Sequence, residues 1–164
     1  MECSLDILDQ EDVARILSRE WVIDGVLSNA AFTLRPNETY ISVNRLAIAS
    51  YNRDVATFID AHPSFSWNLG MASYRRALLH VKDVRKIQAG SDEISLRVNV
   101  EVEPRERSMK SHAGIFTRYG GQSLKHGTAF SAMGIAYSAD DILLDVRTQL
   151  MRLARIEERP ILKK

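Results

Sequence analysis

The sequence has little cysteine, little proline and no long apolar run: Cys3 is its only cysteine, and four prolines are scattered over 164 residues. A single cysteine excludes an intrachain disulfide and a zinc site built of thiolates. No stretch free of Asp, Glu, Lys and Arg is longer than Ala61 to Tyr74, which falls short of the ~20 apolar residues that span a bilayer. The first residues are acidic, whereas an export signal begins basic and continues apolar. We therefore expect a cytoplasmic protein without a membrane span.

An excess of charge of one sign is also lacking. The chain carries 22 basic and 21 acidic side chains, a net charge of +1. Nucleic acids and anionic lipids attract proteins with a marked positive charge. We therefore do not expect this protein to bind nucleic acid, except through a local basic patch.

Linkers and internal repeats are absent as well, so the sequence predicts a single globular domain over residues 1–164. Apolar residues with helical spacing and capping residues predict three helices. The first runs from Asp9 to about Arg19, and the second from Asp54 to Ala61, where His62 and Pro63 stop it. The third begins at Ser138 and reaches about Glu158.

Alternating apolar and polar residues, with β-branched and aromatic side chains, predict the strands. Ala31 to Leu34 and Thr39 to Val43 form a predicted hairpin through the turn at 35–38. Glu93 to Glu103 is the most regular strand, and Tyr74 to Ile87 is predicted either to pair with it or to form a helix. Further predicted strands run from His112 to Arg118 and from Thr128 to Tyr137.

Strands grouped between helices favour an α+β fold over a Rossmann-like fold. We expect a mostly antiparallel or mixed sheet, packed by helices near the N- and C-termini. Whether this sheet is open or closed does not follow from the sequence.

The segment from Pro104 to Gly127 is the strongest candidate for a functional site, because it holds five basic side chains and one acid. Arg118, Lys125 and the backbone of Gly120 and Gly121 are candidates for binding an anion such as phosphate. His112 and His126 are candidate acid–base groups. The alternative is that this segment is only a solvated basic loop.

Known motifs give no support for a cofactor or a metal. The chain has no P-loop, no Gly-x-Gly-x-x-Gly and no His-Glu-x-x-His, and its four histidines are widely spread. Trp67, in a stretch almost free of charge, is a candidate for contact with a protein partner, the alternative being that it belongs to the core.

Three stretches carry a resemblance to other proteins: Trp21 to Phe32, Tyr40 to Arg45 and Ser111 to Ile115. Together they resemble a loosely defined group of small, uncharacterised bacterial proteins. The resemblance implies a bacterial, cytoplasmic origin. It implies no catalytic role for any residue.

Two functional hypotheses follow. The first is a non-enzymatic accessory or protein-interaction domain. The second is a small hydrolase or a nucleotide- or phosphate-binding protein that uses the His, Arg and Lys side chains of residues 104–127. The sequence does not decide between them, and it does not give the oligomeric state.

Overall fold

The computed structural model describes residues 6–67, 72–89, 98–105, 109–132 and 134–162. In chain order its strands are β1 Asp12–Ile16, β2 Val22–Ile23, β3 Val26–Leu27, β4 Tyr40–Arg45, β5 Ser73–His80, β6 Val98–Pro104, β7 His112–Tyr119, β8 Gln122–Ser123, β9 Ala129–Ala132, β10 Ile135–Ser138 and β11 Arg155–Pro160. Its α-helices are α1 Tyr51–Ala61, α2 Val81–Arg85 and α3 Ala139–Leu153, and 3-10 turns lie at Arg19–Trp21, Asn29–Phe32 and Pro63–Phe65. Within the described residues, no helix has both the length and the apolar content needed to cross a membrane.

Seven strands form one sheet, in the order β11-β5-β1-β4-β7-β6, with β8 paired to β7. The pairings within this sheet are antiparallel. Two short hairpins, β2–β3 and β9–β10, lie outside it. The predicted α+β class with a mostly antiparallel sheet is confirmed.

The two long helices cover opposite faces of this sheet. Val13 of β1 lies in one apolar cluster with Val146 of α3, whereas the next residue, Ala14, lies in a second cluster with Val55 of α1. Successive side chains of a strand point to opposite faces, so the two clusters lie on the two sides of the sheet. The central strands are therefore buried on both sides.

The predicted helix from Asp9 to Arg19 is wrong, because this segment contains the central strand β1. Val13, Ile16 and Leu17 are buried on the two faces of the sheet, and their spacing is not distinguishable from one turn of an amphipathic helix. The acidic residues that suggested a helix cap make long-range contacts instead. The carboxylate of Glu11 binds the guanidinium of Arg45 on β4 at 2.9 Å.

The predicted hairpin of Ala31–Leu34 with Thr39–Val43 is wrong as well. The first segment lies largely in the 3-10 turn Asn29–Phe32, whereas β4 pairs with the distant strands β1 and β7. The turn at 35–38 is confirmed, since Glu38 N–H donates to the carbonyl of Arg35 at 3.0 Å.

The segment from Tyr74 to Ile87 divides into a strand and a helix. Its first half is β5, which pairs with β1 and β11 and not with β6, so the predicted pairing is wrong. Its second half contains α2, as the helical alternative predicted. The predicted strand from Glu93 to Glu103 is confirmed over β6, where buried and more exposed residues alternate; its first part, 93–97, lies outside the described residues.

In the last third of the chain, β7 confirms the strand predicted from His112 to Arg118. The single strand predicted from Thr128 to Tyr137 is wrong, because the hairpin β9–β10 replaces it. The third helix begins after Ser138, as predicted, and the Ser138 hydroxyl accepts a hydrogen bond from Asp140 N–H at 3.3 Å. Its predicted end is wrong: the helix ends at Leu153, and the chain continues as β11 along the edge of the sheet.

Candidate functional site

The most distinctive polar group in the sheet is the side chain of Arg15, at the point where β1 and β4 separate. These strands pair at Val13 and Ala14 of β1. Beyond that point Arg15 Nη1 donates to the carbonyl of Ser42 at 2.9 Å, and its Nε donates to the carbonyl of Ala31 at 3.0 Å. The guanidinium therefore takes the place of a backbone ladder between the strands.

Arg15 carries its charge without an ion-pair partner among the residues described. Two other arginines of the sheet form ion pairs, Arg45 with Glu11 and Arg76 with Glu157. The guanidinium of Arg15 instead lies over the ring of Trp21, 4.7 Å from its centroid. Burial lowers the pKa of Arg15 to about 10, because a charged group loses hydration when it leaves water.

Arg15 also lines a cavity of about 210 Å³, which we name the Arg15 cavity. It opens on the face of the sheet that α1 covers. Its described lining combines polar groups with an apolar wall: Arg15, Ile16, Ser42, Asn44, Phe58, Met109 and His112.

A serine and a histidine face each other in this cavity, with Ser42 Oγ 2.8 Å from His112 Nε2. The pairing of β4 with β7 explains the contact, since Asn44 is opposite His112 and Ser42 is opposite Gly114. Ser42 and His112 are therefore diagonal neighbours on one face, within reach of a long side chain. Gly114 has no side chain, and the ring of Tyr40 lies close to the place that a Cβ would occupy there.

Behind His112, a buried carboxylate fixes the start of β7. Asp54 Oδ2, on α1, accepts hydrogen bonds from Ser111 N–H at 3.1 Å and from Ser111 Oγ at 2.7 Å. Ser111 Oγ in turn accepts one from Asn44 Nδ2 at 2.9 Å. This network ties α1, β4 and β7 together at the edge of the Arg15 cavity.

The structure does not bring the two candidate histidines together. His126 lines a second pocket of about 200 Å³ with Ile41 and Val146, on the α3 face of the sheet, where its Nδ1 is 3.0 Å from Asp140 Oδ1. His112 lies on the opposite face. The two imidazoles therefore cannot act on one small substrate.

The other anion-binding candidates have structural roles or stand apart from the cavity. Arg118 forms a two-point ion pair with Glu103, and these hydrogen bonds hold the pKa of Arg118 above its ordinary value, although burial by itself lowers it. Lys125 is exposed, and its carbonyl accepts the hydroxyl of Thr128 at 2.8 Å. Gly120 and Gly121 form the two-residue turn between β7 and β8, with φ of +56° and +83°. That conformation is the one a tight hairpin requires, which accounts for both glycines.

Trp67 is anchored inside the domain through its described contacts. Its indole N–H donates to the carbonyl of Leu17 at 2.8 Å, and the guanidinium of Arg75 lies 4.4 Å from the centroid of its ring. The side chain is half-buried and packs against both apolar clusters. These contacts agree with the core alternative for this residue.

Family models, curated proteins and solved structures were compared with this chain, and none of them matches it. Within the described ranges, no group of three or more His, Cys, Asp or Glu side chains could hold a metal ion.

Sequence reasoning found only one residue of this cavity, His112. Ser42 and Asn44 carried a usable signal, because they occupy the polar positions of an alternating strand that the structure places at the centre of the sheet. Polar side chains on a central strand of a sheet require an explanation, and the cavity that Ser42 and Asn44 line provides it. Arg15 carried no such signal, since its segment was assigned to a helix.

Proposed function

We propose that this protein binds a small anionic ligand in the Arg15 cavity. The observation that carries the proposal is Arg15, a cation that lines the cavity and forms no salt bridge among the described residues, although the carboxylate of Glu38 interacts with it electrostatically. Buried charges in proteins are usually paired, because desolvation is costly. An anion in the cavity would supply the missing partner, and a guanidinium suits phosphate or carboxylate oxygens.

The polar lining supports the same proposal. Ser42 Oγ and His112 Nε2 share one hydrogen bond, and when the imidazole is its donor, the hydroxyl of Ser42 can donate to an anion in the cavity. The lining also includes the apolar side chains of Ile16, Phe58 and Met109. This combination fits a ligand with an anionic end and a short apolar part.

The size of the cavity limits the ligand. The cavity has a volume of about 210 Å³. Pockets for drug-sized molecules begin at about 300 Å³. The ligand is therefore expected to be as small as inorganic phosphate or a short-chain carboxylate.

This proposal agrees with the phosphate-binding hypothesis but places the site elsewhere. Arg15 and Ser42 would bind the anion, instead of Arg118 and Lys125. The hypothesis of a protein-interaction domain stays a prediction, and the contacts of Trp67 give it no additional support.

Binding is tested by calorimetry and by the shift in melting temperature with inorganic phosphate and with butyrate, each against sodium chloride at equal ionic strength. We expect dissociation constants of about 1 mM or below, equivalent to a binding free energy of about −4 kcal/mol. Arg15→Lys keeps the positive charge but loses the planar fork, so we expect at least a tenfold weaker affinity. Arg75→Lys, a matched change on the neighbouring strand β5, should bind like the original protein. The proposal is wrong if neither anion shows binding at a concentration of about 10 mM, tenfold above the expected dissociation constant.

A further inference from the structure

The Ser42–His112 contact has a chemical consequence beyond binding. A serine becomes a nucleophile when a neighbouring base accepts its hydroxyl proton, and such pairs lie within about 2.6–3.2 Å of each other. Ser42 Oγ and His112 Nε2 meet this condition at 2.8 Å, and both side chains line an open cavity.

Both members of the pair are placed on rigid parts of the fold. Ser42 lies in the middle of β4, and its own carbonyl accepts the hydrogen bond from Arg15. His112 begins β7 directly after Ser111, whose N–H and hydroxyl both bind the buried carboxylate of Asp54. Side chains held by central strands in this way keep their relative geometry, which reactive groups require.

We infer that Ser42 is a nucleophile and His112 its general base, in the hydrolysis of a short carboxylic ester whose acyl part carries an anionic group. The identity of the substrate rests on the proposed function, because Arg15 would hold that anionic group. The reactivity of Ser42 does not rest on it.

The reaction balances with water as the only co-reactant. Ser42 Oγ forms a bond to the ester carbonyl carbon while its proton passes to His112 Nε2. The C–O bond to the alcohol then breaks, and the alcohol leaves with that proton. Water attacks the acyl-serine, again giving a proton to His112, and the acid leaves as Ser42 Oγ recovers the proton.

The inference is tested first with a neutral alkyl fluorophosphonate, which reacts with activated serines by loss of fluoride and needs no anion site. Peptide mass spectrometry should find the adduct on Ser42. Ser42→Ala should abolish the adduct, and His112→Asn should slow its formation at least a hundredfold. Ser131→Ala, a change at an exposed serine of β9, is the matched control and should leave labelling unchanged.

Substrate preference is tested with the 4-nitrophenyl esters of butyric acid and of succinic acid, the second of which is anionic. We expect the succinyl ester to be hydrolysed at least tenfold faster, and Arg15→Lys to remove most of this preference. Folding of each variant is checked by circular dichroism.

The outcomes separate the two proposals. If the fluorophosphonate labels Ser42 but neither phosphate nor butyrate binds, the nucleophilic role of Ser42 is supported and the proposed anion binding is contradicted. Anion binding without labelling of Ser42 in the folded protein overturns the nucleophile and leaves the proposed function standing. Labelling that persists at the same rate in His112→Asn overturns the role of His112 as base.

Discussion

Replacement of Asp54 by alanine should destabilise the domain strongly, because this buried carboxylate connects α1 to β7. Its Oδ2 accepts hydrogen bonds from Ser111 N–H, Ser111 Oγ and Ser50 Oγ, at 3.1, 2.7 and 2.9 Å. Asp54 is 7% exposed and Ser111 is 0% exposed. In Asp54→Ala, water cannot easily reach the two donors of Ser111, whereas the partly exposed Ser50 can turn toward solvent.

The magnitude follows from these two buried donors. Hydrogen bonds to a charged group contribute about 1.5–3 kcal/mol each, and a buried donor without a partner costs about 1–3 kcal/mol. Loss of two such bonds should therefore lower the free energy of unfolding by about 3–5 kcal/mol. Asp54→Asn keeps an acceptor oxygen in place but loses the charge, so we expect a smaller loss of about 1–2 kcal/mol.

The assay is urea unfolding followed by circular dichroism, with the melting temperature as a second measure. A loss of 3–5 kcal/mol corresponds to a decrease of very roughly 6–20 °C for a domain of this size. Asp60→Ala, at an exposed position of the same helix, is the control and should change the stability by less than about 0.5 kcal/mol. If Asp54→Ala loses less than about 1 kcal/mol, the network does not hold α1 against β7 and the reasoning is refuted.

Two further changes test other contacts of the sheet. A Cβ added at Gly114 would lie 2.6 Å from Cδ2 of Tyr40, and this ring is packed against Phe116. We therefore expect Gly114→Ala to cost about 1–3 kcal/mol in urea unfolding, and an unchanged midpoint would show that the ring moves freely. Glu11 experiences two opposing effects: burial raises its pKa, but its hydrogen bonds to Arg45 and to Leu8 N–H lower it more, so the net pKa lies below the ordinary 4.5. The carboxylate of Glu11 therefore binds a proton more tightly in the unfolded protein than in the folded one. Its contribution to stability is complete above pH 4.5 and is lost as the pH falls through the lower pKa of the folded state. The difference in unfolding free energy between the original protein and Glu11→Gln should therefore shrink from pH 7 toward about pH 3; a difference independent of pH would contradict this assignment.

Local patterns determined the elements whose signal lies within a few neighbouring residues. Alternation of valines with polar residues predicted β6, and the segment after Ser111 predicted β7. Helix α1 ends where His62 and Pro63 stop it, and α3 begins where Ser138 caps it. These features depend on backbone conformation and side-chain spacing, which a sequence displays directly.

Only the tertiary structure decided which segments meet. It made β1 a strand, because burial between β4 and β5 outweighs a helical spacing of three apolar residues. Strand order and register also placed Ser42 beside His112, residues far apart in the chain, and separated His112 from His126 by the thickness of the sheet. By itself, the sequence determined the α+β class and offered one histidine of the candidate site. The rest of that site arises from long-range pairing, and no local pattern of residues encodes which strands will pair.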